Sequence, residues 1–478
     1  MKRYVIVVVA FAFSACGASR QTLALPNVPA ADSGISHNTS GGPYGKIQHI
    51  VIVIQENRTV DNIFGGPHPF PGADAVSSGE TSNGKMKKLS EVHFFPSLDV
   101  NNYHVNYLTA CNAPNPPPFT VGQPSPCRMN GFDKNQTLLE GEIYSYLDYG
   151  ETKPYWDIAK KYTLGDHFFM SHNSESYTAH QYLFSGQSND VIQDPVFPSG
   201  FYPPFLTPWG CDSPKGSTTY LLDPKTGKQS KNPDGPFPCF DYKSLADLLD
   251  DKNKSWRLYA WTKHENINAL DVNKSIRYSD LWTNGTNFRE PETKFLKDVK
   301  STSLPLADVT WILPGPLSSD HPGTPSFYGP SWVADVVNAV GKSKYWNNTA
   351  IFVTWDDWAG FFDHERPYVV RDQFGPGVRV PLLVVSPYAK SGHVSSTDTE
   401  PGTLLAFVEQ TFGLGNLGTT DVSPYINNFD DFFNWSAKPK PFRAIQTYEP
   451  PEFFENIDEG KNMRMAPGNS SFWKNDDD

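Results

Sequence analysis

The chain has 478 residues, a formal net charge of −12 and an aromatic content of 14%. This length can bury a large core, as one big α/β domain or as two smaller ones. The acidic balance, without a long basic run, argues against nucleic acid as the main partner and against a polybasic patch for a membrane surface.

The N-terminus is typical of an export signal. Lys2 and Arg3 precede an apolar stretch at 4–13, and the small residues Ser14-Ala15-Cys16 follow it. The stretch is too short to span a bilayer as a mature helix. We therefore predict an export signal at 1–16 and a periplasmic or extracellular protein. Two alternatives stay open at Cys16: lipidation, as in a bacterial lipoprotein, or ordinary cleavage nearby.

Apolar runs along the chain predict the strands of one central sheet, because a strand without a polar face must be buried on both sides. Residues 17–44 come first and, being rich in Ala, Pro, Ser, Gly and Asn, predict a flexible tether. The predicted strands are 50–54, 256–261, 308–313, 350–353 and 378–386. The predicted helices are 152–161, 332–340, 402–412 and a run ending at Gly186. This alternation favours an α/β fold whose mostly parallel sheet is flanked by helices.

The cysteines after the export signal indicate disulfide bonds rather than a zinc site. They are Cys111, Cys127, Cys211 and Cys239. An even number in an exported chain predicts two bonds, and we expect each cysteine to pair with its nearest neighbour in sequence. The segment 194–245 is dense in Pro and Gly, and we predict that it caps the sheet as an insertion stapled by the second bond. The chain from 447 to 478 is predicted to be a tail.

Polar residues follow two of the predicted strands. Gln55-Glu56-Asn57-Arg58 comes directly after the first strand, and Asp356-Asp357 follows the strand at 350–353. The carboxyl ends of parallel strands meet at the crevice where α/β sheets bind ligands. Three carboxylates meeting there would repel one another without a cation. We predict one divalent metal ion with oxygen ligands, and the alternative is a helix cap or a solvated turn.

A nucleophile is expected at the start of a helix, where amide N–H groups help to hold an anion. Ser174, Ser176 and Thr178 all precede the helical run that ends at Gly186. Spacing alone does not choose among them, and a Ser or Thr at such a place is more often a plain helix cap. Any lone histidine is more often structural than functional. The histidines that could bind or protonate an anionic substrate are His104, His180, His321 and His364.

Five segments carry a common pattern in order along the chain. They are ENRTVDNIFG at 56–65, MNGFD at 129–133, YWDIA at 155–159, TWDDWAGFFDH at 354–364 and RVPLLVVSPY at 379–388. Together they resemble the bacterial phospholipase C/acid phosphatase family of phosphoesterases, from about residue 46 to residue 433. The resemblance implies an alkaline-phosphatase-like core in which a metal activates a Ser or Thr nucleophile.

The resemblance also implies roles for individual residues. The implied metal ligands are Glu56, Asn57, Asp356 and Asp357. Leu183-Phe184-Ser185-Gly186 matches the family's Leu-x-Ser-Gly segment and points back ten positions to Ser176 as the nucleophile. His104 and His321 match positions that contact phosphate. The family's Pro-Asn-Arg stretch reads Thr178-Ala179-His180 here, and Ala359-Gly360 replaces two glycines, which leaves the shape of the substrate pocket open.

These observations predict an exported, metal-dependent phosphoesterase that acts through a phosphoseryl intermediate on Ser176. We expect phosphomonoester hydrolysis, as in an acid phosphatase. One alternative is a phospholipase C acting on phosphatidylcholine-like phosphodiesters, for which the aromatic residues of 197–240 could line an apolar mouth. The other is a non-catalytic surface binding protein on the same fold. The oligomeric state is not predicted.

Overall fold

The structure is a computed structural model that describes residues 45–96, 100–135, 142–198, 207–324 and 326–456. The predicted export signal at 1–16 and the predicted tether at 17–44 lie outside the described residues. Within the described ranges, no helix has both the length and the apolar character needed to cross a membrane.

The centre of the fold is an eight-stranded sheet with helices packed against it. The strands in chain order are β1 (His49–Gln55), β2 (Ser78–Glu80), β3 (Met86–Lys88), β4 (Ser90–Val92), β5 (Ser145–Leu147), β6 (Thr163–Phe169), β7 (Trp256–Tyr259), β8 (Phe288–Arg289), β9 (Val309–Ile312), β10 (Thr349–Trp355), β11 (Arg379–Val385) and β12 (His393–Ser395). Across the large sheet the order is β12-β6-β11-β10-β1-β9-β7-β8. Only β11 pairs antiparallel with its neighbours there, so the predicted mostly parallel α/β sheet is confirmed.

Four of the helices in the structure lie where the sequence predicts them. In chain order the helices are α1 (Val60–Phe64), α2 (His104–Cys111), α3 (Tyr149–Lys161), α4 (Ser176–Ser185), α5 (Leu245–Asp251), α6 (Lys274–Arg277), α7 (Phe295–Asp298), α8 (Gly329–Gly341), α9 (Pro401–Phe412) and α10 (Pro451–Glu455). The predicted helices are α3, α8, α9 and α4. Helix α4 ends at Gly186, whose left-handed conformation (φ 65°) is the usual glycine cap.

The pairing of β1 with β10 determines where the loops after these two strands leave the sheet. The strands are parallel, with Ile54 opposite Thr354 and Gln55 opposite Trp355. All but the first residue of β1, and all of β10, are buried. The residues that follow Gln55 and Trp355 therefore emerge side by side at the same edge of the sheet, as the sequence predicts.

Both predicted disulfides are present, Cys111–Cys127 and Cys211–Cys239. The second lies in the predicted cap. Trp209 and Phe240 of this segment are only 8% and 5% exposed, and they pack in one cluster with Tyr177 of α4. In the described part of the cap, these aromatic rings are therefore packing residues. Residues 199–206 lie outside it.

The predicted C-terminal tail begins with a packed helix. Phe454 of α10 is buried, and its ring centroid lies 5.3 Å from that of Trp332 on α8. The acidic end of the chain, at 474–478, lies outside the described residues.

Candidate active site

The loop after β1 contacts the loop after β10 directly. The backbone N–H of Asn57 donates to Asp356 Oδ1 at 2.8 Å. Asn57 has a left-handed backbone (φ 63°), which Asn tolerates better than most residues. Its side-chain Oδ1 is buried and has no hydrogen-bond partner among the described residues. A buried carbonyl oxygen in this state is a natural ligand for a cation.

Asp357 connects this pair of loops to α4. Its Oδ2 accepts from Ser176 Oγ at 3.3 Å and from Asn102 Nδ2 at 2.9 Å, while its Oδ1 accepts from the Ala359 N–H at 2.7 Å. Ser176 is the first residue of α4, and Glu175 occupies the cap position before it. The Ser176 hydroxyl therefore faces a carboxylate instead of capping its own helix.

The other two nucleophile candidates have ordinary backbone partners. The Ser174 hydroxyl donates to the carbonyl of Ile192, and the Thr178 hydroxyl donates to the carbonyl of Glu175. Of these three hydroxyls, the one on Ser176 is recorded in contact with a predicted metal ligand. This contact is at the position to which the family resemblance points.

His180 is a member of the site that the predicted ligand set omits. Its Nε2 lies 3.0 Å from Glu56 Oε1 and 3.7 Å from Asp356 Oδ2, and all three side chains are buried. One ligand atom from each of the three lies within 4.8 Å of the others. The available signal was its spacing four residues after Ser176, which puts both side chains on one face of a helix.

Burial sets the charges of this group. It raises the pKa of Glu56 to about 7, against the opposing charge of His321. Burial, with the negative charge of Glu56, also raises the pKa of Asp356 to about 7. Burial lowers the pKa of His180 to about 4, so its ring is neutral at pH 7. A neutral imidazole beside crowded carboxylates and an unpartnered amide oxygen is a donor set that suits a divalent metal ion.

The side chain of His104 is held by the side chain of Asn173. It is the first residue of α2, it is buried, and its Nδ1 lies 2.7 Å from Asn173 Oδ1. Burial lowers the pKa of His104, so the ring is neutral at pH 7. Asn173 precedes Ser176 by three residues in the chain. The structure therefore joins His104 to the loop that leads into Ser176.

His321 lies in a loop that is pinned to both strand ends. Its neighbour Asp320 accepts at Oδ2 from Trp355 Nε1 at 2.9 Å. The main-chain oxygen of Asp320 accepts from Arg58 Nε at 3.0 Å and from Arg58 Nη2 at 2.7 Å. These bonds place His321 near enough for its charge to lower the pKa of Glu56.

The fourth histidine, His364, belongs to a separate cluster of ionised groups. Its Nδ1 lies 2.7 Å from Asp61 Oδ2 and its Nε2 lies 3.1 Å from Asp74 Oδ1. Burial lowers the pKa of His364, but the hydrogen bond and charge of Asp61 raise it to about 9. The guanidinium of Arg379 lies 2.7 Å from Asp363 in the same cluster, so an arginine supplies the cation there.

Comparison with known proteins agrees with this geometry. The model of the phosphoesterase family matches residues 47–415. The chain belongs to the phosphoesterase family. This confirms the resemblance seen in the sequence.

Named relatives of this phosphoesterase are phospholipases C. It is 24% identical over 439 residues to the non-hemolytic phospholipase C of Burkholderia pseudomallei. That alignment covers 79% of this chain and 57% of the relative. It is 24% identical over 437 residues to the non-specific phospholipase C1 of Arabidopsis thaliana, which covers 83% of this chain and 72% of that protein. The chain thus spans less than 60% of the length of the bacterial non-hemolytic relatives, 57% and 58%.

Among solved structures, the phosphoesterase is similar to a protein in the alkaline phosphatase superfamily from Vibrio parahaemolyticus. The TM-score is 0.35 and the identity 10%, over 80% of this chain and 72% of that one.

Proposed function

We propose that this phosphoesterase cleaves its substrate by displacement at phosphorus on Ser176. The observation that carries the proposal is the contact of its hydroxyl with Asp357, inside a buried group of carboxylates. The proposed ligands of one divalent metal ion are the four residues that follow β1 and β10: Glu56, Asn57, Asp356 and Asp357. When bound, the metal supplies positive charge that favours a serine alkoxide and neutralises the phosphoryl oxygens.

In the first step, Ser176 Oγ attacks phosphorus in line with the leaving alcohol. The hydroxyl proton passes to Asp357 Oδ2, which already accepts the hydrogen bond. The bond from phosphorus to the ester oxygen breaks as the bond to Oγ forms, and the departing oxygen takes a proton from His321. The products are the free alcohol and a phosphorylated Ser176, which keeps the second ester group on phosphorus when the substrate is a phosphodiester.

In the second step, water attacks the phosphoserine. A neutral His104 ring that donates from Nδ1 to Asn173 has its lone pair on Nε2, which can take the proton of the attacking water. The bond from phosphorus to Oγ breaks and Ser176 regains its proton. Two in-line displacements give net retention of configuration at phosphorus.

For the substrate class, we propose phosphodiesters of the phospholipase C type. The support is that the named relatives at 23–25% identity are phospholipases C. The second candidate is the phosphomonoesterase predicted from the sequence. The packing of Trp209 and Phe240 into the cap favours it, because rings buried in this way are withdrawn from any apolar mouth.

Two chromogenic substrates test the chemistry and the substrate class together. We would measure hydrolysis of p-nitrophenyl phosphorylcholine and p-nitrophenyl phosphate, with and without a chelator, by wild type and Ser176→Ala. Loss of the hydroxyl should lower kcat by about 10³-fold or more. Ser174→Ala is the matched control, because its hydroxyl donates to a carbonyl away from the ligands, and it should retain activity within about tenfold.

Each result has a definite meaning. Turnover of the choline diester supports a phospholipase C, whereas turnover of the monoester alone supports a phosphatase. Full activity in Ser176→Ala would refute the nucleophile. Metal binding without turnover of either ester would favour the non-catalytic binding protein.

We also propose that the phosphoesterase is exported. Its two disulfides fit an oxidising compartment, and residues 1–16 have the pattern of an export signal. The mass of the mature N-terminus in an expressing bacterium tests this. A chain that begins at Cys16 and carries lipid mass would be a lipoprotein, and an unprocessed Met1 would contradict export.

A further inference from the structure

His180 and the nucleophile share one face of α4. Ser176 and His180 are four residues apart, about one helical turn, so their side chains lie one above the other. The Ser176 hydroxyl contacts Asp357, and His180 Nε2 contacts Glu56 and Asp356. A single helix face therefore presents a hydroxyl and an imidazole to three of the four proposed metal ligands.

The spacing of the donor atoms suits a shared ion. Ligand oxygens and nitrogens lie about 2.0–2.2 Å from a small divalent metal. When the angle between two ligands at the metal is between a right angle and the tetrahedral angle, their donor atoms lie about 3.0–3.5 Å apart. The distances from His180 Nε2 to Glu56 Oε1 and Asp356 Oδ2 are 3.0 Å and 3.7 Å. All three donor atoms lie within 4.8 Å of one another.

The surroundings of the ring leave little room for another role. His180 is 1% exposed, and its recorded polar contacts with described residues are all made through Nε2. Nε2 faces the carboxylates of Glu56 and Asp356, which are two of the proposed metal ligands. Without a metal, the Nε2–H of a neutral ring can donate a hydrogen bond to Glu56 Oε1 at 3.0 Å, and with a metal the same nitrogen can present its lone pair instead.

We propose that His180 is a ligand of the catalytic metal through Nε2. The inference rests on the proposed metal centre and deepens it, since an imidazole changes which ions the centre prefers. Carboxylate, amide and water oxygens alone suit Mg²⁺ or Ca²⁺, whereas a nitrogen ligand favours Zn²⁺ and similar transition ions. The centre then takes a transition ion in preference to the hard cation that an all-oxygen set would hold.

The test is direct measurement of the bound metal in the full chain. Metal-free protein is prepared with a chelator and loaded with one equivalent of Zn²⁺, and X-ray absorption at the zinc edge is recorded. Dissociation constants come from competition with a zinc-binding dye. The variants are His180→Gln and, as matched control, His364→Gln, because His364, like His180, lies close to two carboxylates, Asp61 at 2.7 Å and Asp74 at 3.1 Å.

The expected result is imidazole scattering in the wild-type spectrum that His180→Gln loses and His364→Gln keeps. The Kd for Zn²⁺ should rise by at least about tenfold in His180→Gln. Bound zinc with only oxygen ligands, or imidazole scattering lost in His364→Gln instead, would overturn the assignment while leaving the metal centre in place. No zinc bound by wild type would also overturn the assignment, and failure to bind Mg²⁺ or Ca²⁺ as well would overturn the metal centre. If His180→Gln does not fold, His104→Gln and His321→Gln take its place: imidazole scattering kept in both and in His364→Gln supports His180, and scattering absent from wild type or lost in any one of them overturns the assignment.

Discussion

Arg379 is the side chain whose removal should destabilise this phosphoesterase most clearly. It is 0% exposed, and its Nε lies 2.7 Å from Asp363 Oδ1, which is also fully buried. Its other nitrogens lie 3.9 Å from Asp61 and 3.4 Å from Asp74. Arg379→Met keeps much of the volume but leaves a buried carboxylate without its cation. Breaking a buried pair in this way costs about 3–5 kcal/mol.

The cost converts to a thermal shift through the entropy of unfolding. At about 2.1 cal/mol/K per residue, a domain of roughly 400 residues has an unfolding entropy of about 0.8 kcal/mol/K, so each kcal/mol lowers Tm by about 1.2 °C. We therefore expect Arg379→Met to lower the Tm by about 3–6 °C, measured by circular dichroism or scanning calorimetry.

Two further variants make this expectation specific to burial. Arg289 forms a pair with Asp298 at 2.9 Å, but these side chains are 26% and 15% exposed. Arg289→Met should therefore lower Tm by about 1 °C or less. Adding Asp363→Asn to Arg379→Met should recover part of the loss, because it removes the stranded charge. Equal shifts for the two arginine variants, or no recovery in the double variant, would refute the reasoning.

Two predictions concern pH. The folded-state pKa of His364 is raised to about 9, so its contribution to stability is fully present below about pH 6.5 and is lost as pH rises through 9. The Tm of His364→Gln should therefore fall furthest below wild type near pH 6 and approach it near pH 10; a constant gap would contradict this. The pKa values of Glu56 and Asp356 are raised to about 7, so a metal must displace protons from the site. The affinity for Zn²⁺ should rise with pH from 5 to 7 and then level off, and a pH-independent Kd would show that the carboxylates are not ligands.

The sheet could be predicted from the sequence because its strands are buried on both faces. β1 and β10 are apolar runs without a polar side, and such runs leave little choice but a central strand. The same pattern says nothing about direction. β11 is as apolar as they are, yet it runs antiparallel to β10. The direction of a strand depends on the path of the chain before it, which hydrophobicity does not record.

Helix α2 could not be predicted, and the reason is its surroundings. It lies in the segment between Gly65 and Asn135, where proline-rich stretches hide a short helix. It has no side-chain cap at its start, and the structure buries only one side of it. Its stability comes from packing and from the disulfide of Cys111, its last residue, both of which are tertiary. The position of His104 could therefore come only from the family resemblance.

Some residues of the candidate site could likewise be predicted from the sequence, and others could not. Glu56, Asn57, Asp356 and Asp357 follow strands, so the register of β1 with β10 brings them together and the sequence predicts it. His180 depends on how α4 is rotated above the sheet edge, and helical periodicity alone does not fix that rotation. Its distance of 3.0 Å from Glu56 is thus information that the fold adds.

The loops that carry the four proposed ligands are also held by hydrogen bonds from the residues that flank them. Gln55, at the end of β1, donates from Nε2 to the carbonyl of Ser318 at 2.8 Å and accepts at Oε1 from the Asp320 N–H at 3.0 Å. The Thr59 hydroxyl donates to the carbonyl of Phe362 at 2.9 Å, which ties the loop after β1 to the loop after β10. These bonds are made by residues on either side of the carboxylates. They hold the loops in place against the repulsion among the carboxylates. In the proposed function, the loops are therefore positioned before a cation binds, and such preorganisation is what in-line attack on phosphorus requires.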